Sequence, residues 1–84
     1  MKTNEKIRTH ILEIVENQLK ENNPPETQIT YDRLFREGFN DLQIRQLIAQ
    51  CVAVEIFNIM KYGKPYDNDR YVKNLKKLPK EPFE

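Results

Sequence analysis

Eighty-four residues and 10.1 kDa suffice for one small domain, because a chain of this length buries only ~60% of the surface it exposes when unfolded. Charged residues make up 32% and apolar residues 38%, the mean hydropathy is -0.81 and the net charge is +1; with periodic apolar positions this reads as a globule of modest stability, not a disordered chain. There is no serine or tryptophan, one cysteine and one histidine, which excludes a serine nucleophile, a disulfide within the chain and a zinc cage of Cys and His ligands.

The first helix is expected over about 4–22, where Ile7, Ile11, Leu12, Ile14, Val15 and Leu19 recur at helical spacing after a cap at Thr3 or Asn4. Asn22, Asn23 and Pro24 end it, and Pro25 suits the first turn of a second helix over 25–37 that stops at Gly38. The strongest local signal follows. Asn40 with Gln43 three residues on forms a capping box, and Phe39 opposite Ile44 forms a hydrophobic staple, so a third helix runs from 41 to 62 and ends at Gly63. Asp67 caps a fourth helix over 67–78 carrying Tyr71, Val72, Leu75 and Leu78 on one face, and Pro79 and Pro82 leave 79–84 as a flexible tail. The fold class is therefore all-α: a small four-helix domain with a central, apolar third helix that is the most buried of the four.

On a helical wheel, Ile44, Ile48, Cys51, Val52 and Ile59 cover one side of the third helix, while Leu47, Val54, Phe57 and Met60 spread around the other. Such a helix is surrounded by its neighbours or shared with a second chain. Val54, Phe57 and Met60 are the interaction candidates, for a homodimer or for another protein partner.

Glu55 falls inside the apolar stripe, where an unpaired carboxylate is costly. It is either satisfied by an Arg, His or Tyr, or reaches water at the end of the core, or forms a ligand or acid/base position. Gln18 lies within the stripe of the first helix and His10 at its edge. The amide of Gln18 is expected to hydrogen-bond near the Pro24–Pro25 turn. A His10–Glu55 pair would make a metal or proton-transfer site with two ligands, fewer than the three or four protein ligands of zinc sites, so neither a metal nor another cofactor is expected.

Residues 1–60 carry seven basic and nine acidic side chains, residues 61–84 seven and four. Arg70, Lys73, Lys76, Lys77 and Lys80 share one face of the last helix, a solvated face or a phosphate-binding one; no aromatic platform or recognition helix accompanies it. The N-terminal residues lack the apolar core of a signal peptide, and the stretch from Leu47 to Met60 is interrupted and short of the ~20 residues that span a bilayer. Neither secretion nor membrane insertion is expected. Cys51 as a lone thiol fits the cytoplasm.

The chain resembles a group of short uncharacterised bacterial proteins classed as a domain of unknown function. The stretches that carry the resemblance are His10 to Leu19, Pro24–Pro25–Glu26 with Tyr31 to Leu34, Gln46 to Ile48 with Glu55, and Pro65 to Asp67 with Arg70 and Tyr71. The resemblance implies a helical fold and a bacterial cytoplasmic origin. Such proteins carry a histidine pair four residues apart at the start of the third helix; Leu42 and Gln46 stand there in this chain, so a metal site built on that pair is lost. The expected function is a non-catalytic structural or protein-interaction domain, ahead of a nucleic-acid accessory using the basic face, and ahead of an enzyme or a remnant ligand site at His10, Gln18 and Glu55.

Overall fold

The structure is a computed structural model that describes residues 2–82, with side chains from residue 5 onward. Among the described residues the chain forms four helices and no strand: α1 (Lys2–Glu21), α2 (Pro25–Arg36), α3 (Asp41–Tyr62) and α4 (Asn68–Lys77). The side chains of Thr3 and Asn4 lie outside the described residues. Since the backbone is already helical at Lys2, neither position precedes the helix as a cap must.

The other helix ends follow their local chemistry. Pro24 stands at the N-cap of α2 with Pro25 in its first turn. At the other end, Gly38 takes φ +103°, its N–H donates to the Phe35 carbonyl and the Phe39 N–H reaches back to Leu34, each at 3.1 Å. This paired closure requires a left-handed residue at Gly38. The capping box of α3 forms in both directions: Gln43 N–H donates to Asn40 Oδ1 at 2.8 Å and Asn40 N–H to Gln43 Oε1 at 2.9 Å. Asp67 Oδ1 accepts the Arg70 N–H at the start of α4. The last turn of α4 is closed from another helix, because the Arg33 guanidinium on α2 donates to the carbonyls of Leu78 (2.9 Å) and Leu75 (3.0 Å). Lys80 N–H bonds the Lys77 carbonyl at 2.9 Å; residues 83 and 84 lie outside the described residues.

One core joins the four helices: Ile11 and Val15 of α1, Leu34 of α2, Ile44, Ile48, Cys51 and Val52 of α3, and Tyr71, Leu75 and Leu78 at α4. A buried aliphatic side chain of this kind stabilises by about 1.5–3 kcal/mol. α3 supplies more buried residues than any other helix. It packs on α1, α2 and α4, whereas α1 and α4 make no close backbone approach. α3 is nevertheless not enclosed on all sides. Ile59, expected in the core stripe, is 43% exposed, at the edge of a small cavity that it lines with Ile14 and Gln18 of α1 and with Tyr66. Leu42, Phe57 and Met60 are each more than 60% exposed.

Candidate functional site

The polar residues that stood out in the sequence are occupied by internal bonds. Glu55 is 3% exposed, and its carboxylate accepts Arg70 Nε at 2.7 Å, Arg70 Nη2 at 3.0 Å and the Asp67 backbone N–H at 2.9 Å. The two-pronged guanidinium contact suits a carboxylate, and the hydrogen bond to Asp67 ties the N-cap of α4 to α3. The Glu55 carboxylate raises the Arg70 guanidinium further above its ordinary value, chiefly through the hydrogen bonds between these two side chains. Gln18 Oε1 accepts the hydroxyls of Thr27 (2.8 Å) and Tyr71 (2.6 Å), joining α1, α2 and α4 at one atom. The side-chain amide, expected to bond backbone at the Pro24–Pro25 turn, takes these two side-chain hydroxyls instead, and it is the Gln18 backbone carbonyl that accepts the Asn23 N–H at 3.1 Å. Burial pushes the Tyr71 phenol well up from its ordinary value, so it stays a donor to Gln18.

Gln18 and Glu55 line one small cavity of about 120 Å³ with Ile14, Val52, Tyr66 and Tyr71. His10 is not part of it. Its exposed imidazole lies 3.9 Å from Glu13, one turn along α1, so the His10–Glu55 pair does not form. His10 sits at the solvent edge of α1, and Glu55 is already satisfied from α4. Among the described residues no group of three or more His, Cys, Asp or Glu side chains is arranged to hold a metal ion, and no buried side-chain nitrogen or oxygen lacks a hydrogen-bond partner. Cys51 is enclosed in the core, and burial, with the Glu55 charge adding to it, pushes its thiol up to about 12. A thiol so held is not a nucleophile near neutral pH.

Two further expectations change. Arg70 does not belong to the solvated basic face of α4, because its guanidinium turns inward to Glu55; Lys73, Lys76, Lys77 and Lys80 remain exposed. Val54 is 9% exposed, so it leaves little surface for a partner. A wheel gives the angle of a side chain but not which sectors the neighbouring helices cover.

Phe57 and Met60 border a groove of about 620 Å³ where α1 packs on α3, with Ile7 and Leu12 from α1 and Ala49, Ala53 and Ile56 from α3 on its walls. Arg8 and Lys61 are the charged residues lining it. At the N-terminal end of α3, Arg45 bridges Asp41 and Glu16, and Tyr31 donates its hydroxyl to Asp41. Those hydrogen bonds, Tyr31 first and Arg45 second, hold the Asp41 carboxyl below its ordinary value. Sequence reasoning reached Phe57 and Met60 but passed over the alanines. The signal was present in the spacing of Leu42, Gln46, Ala49, Ala53, Ile56 and Met60, alternately four and three residues apart, the period of a helix-packing seam.

Compared with known protein families, curated proteins and solved structures, the chain matches none. No helix among the described residues is long and apolar enough to cross a membrane.

Proposed function

We propose that this chain is a non-catalytic protein-interaction domain, in the bacterial cytoplasm its sequence resemblance implies, and that the groove between α1 and α3 is its contact surface. The observation that carries this reading is a contrast. The buried polar groups with chemical potential are consumed in holding the helices together, while the large concave surface is apolar and bordered by exposed Phe57 and Met60. Contiguous apolar surface of this kind marks binding sites in soluble proteins. A groove along a helix suits an amphipathic helix, whose apolar face it would bury. The basic face is the weaker surface, since Arg70 is withdrawn from it and the apolar groove does not reach its lysines.

The test is selection of helical peptides from a displayed library on the immobilised chain, with the chain itself included among the candidates. Retained ligands should be amphipathic, and Phe57→Glu, at a side chain 63% exposed in the free chain, should abolish retention without changing helicity. Retention that survives Phe57→Glu, or no retention of any ligand, refutes the assignment of the groove.

A further inference from the structure

We infer that the occupant of the groove is an amphipathic helix of another protein that carries carboxylates on both flanks of its apolar stripe, one flank meeting Arg8 on α1 and the other Lys61 on α3. The inference rests on the interaction reading above and names the chemistry of the partner.

Charge is the first argument. Arg8 and Lys61 line the groove, and among the described residues no carboxylate lines it with them. Both cations are exposed. Elsewhere the chain turns its guanidinium groups to its own carboxylates: Arg33 pairs with Glu37, Arg45 with Asp41 and Glu16, and Arg70 with Glu55. Among the described residues neither Arg8 nor Lys61 enters an ion pair; Lys61 instead lies 5.3 Å from the centre of the adjacent Tyr62 ring. Two such cations beside an apolar floor repel a basic amphipathic segment and attract an acidic one.

Placement decides the class of occupant. Phe57 and Met60, 63% and 68% exposed, supply the apolar surface left for a partner to cover, whereas Ala49, Ala53 and Ile56 already pack against the core and form a fixed floor. The wall on α3 runs from Gln46 to Lys61, about 22 Å at the α-helical rise, or about four turns. A helix of that length laid stripe-down has a polar row on either side of its stripe. One cation stands on each wall, so each row meets one. A fatty acid has a single carboxylate at one end for the two walls.

The experiment is selection from a displayed library of four-turn helices whose apolar stripe is fixed as Leu and Met and whose flanking positions vary among Glu, Gln and Lys. It is run on the full chain and on its Arg8→Glu, Lys61→Glu double variant. The wild type should enrich Glu on both flanks, and the double variant should enrich Lys. For a retained peptide made synthetically, Arg8→Gln and Lys61→Gln should each weaken binding by about two- to fivefold, as exposed ion pairs do. That loss should shrink in 1 M salt, where the screening length falls to about 3 Å. Should the double variant lose its helical circular dichroism, the two glutamine variants carry the test. Ligands that depend on Phe57 but show no Glu enrichment, the same flank preference on both chains, or an affinity that neither glutamine variant moves each overturns the inference and leaves the interaction reading standing. Dodecanoate below its micelle concentration should leave the peptide bound; displacement marks the groove as a site for anionic amphiphiles and overturns the inference. No retention of any ligand removes both readings.

Discussion

Replacing Gln18 by leucine removes one acceptor and strands two donors. Its Oε1 takes the hydroxyls of Thr27 and Tyr71 at 2.8 and 2.6 Å, and Thr27 and Tyr71 are 0% and 1% exposed. A buried polar group left unpaired costs about 1–3 kcal/mol. The Thr27 and Tyr71 hydroxyls interact with each other, so one can accept from the other and the expected total falls in the lower part of the range, about 2–4 kcal/mol. A domain of this size is stable by about 4–12 kcal/mol, so the loss is a large fraction of the whole. Urea unfolding followed by circular dichroism should show a lower midpoint at unchanged slope. The decisive comparison is the triple variant Gln18→Leu, Thr27→Val, Tyr71→Phe. It removes the stranded donors together with their acceptor and should be more stable than Gln18→Leu alone. If Gln18→Leu costs less than ~1 kcal/mol, or if the triple variant simply adds three losses, Gln18 does not join the helices in this way.

Arg70→Met leaves the Glu55 carboxylate buried without its cation and should lower the melting temperature more than Glu55→Leu does, with the double variant recovering part of the loss in a thermal melt. Asn40→Ala removes half of the capping box on α3 and should cost ~1 kcal/mol in the same urea titration. Cys51 should resist a thiol reagent in the native protein and react on unfolding. Because burial raises its thiol from 9.0 to about 12, the stability it contributes is complete below pH 9 and is lost as pH rises toward 12; Cys51→Val should remove that part of the alkaline decline.

Secondary structure was legible because its signals act within a few residues of one another. Asn40 with Gln43, Gly38, Gly63, Asp67 and the Pro24–Pro25 pair each set a helix end through backbone groups one turn away or less, and the ranges expected from them agree with α2, α3 and α4 to within about a residue. The stripe of α3 was legible too: Glu55 is inside it and buried, as its wheel position requires. The partner of Glu55 was not legible from the wheel. Glu55 binds Arg70, fifteen residues along the chain, because the connector after Gly63 returns α4 to the side of α3 where Glu55 opens, while His10 on α1 faces solvent. The other internal polar residues show the same division: Gln18, Glu55, Asp67, Arg70 and Tyr71 each stand out along the chain, but their bonds cross from helix to helix. Periodicity assigns each helix a face. Which sectors of that face are filled, and which stay open as the groove beside Phe57 and Met60, depends on how four rigid helices cross, and no local spacing encodes those crossings.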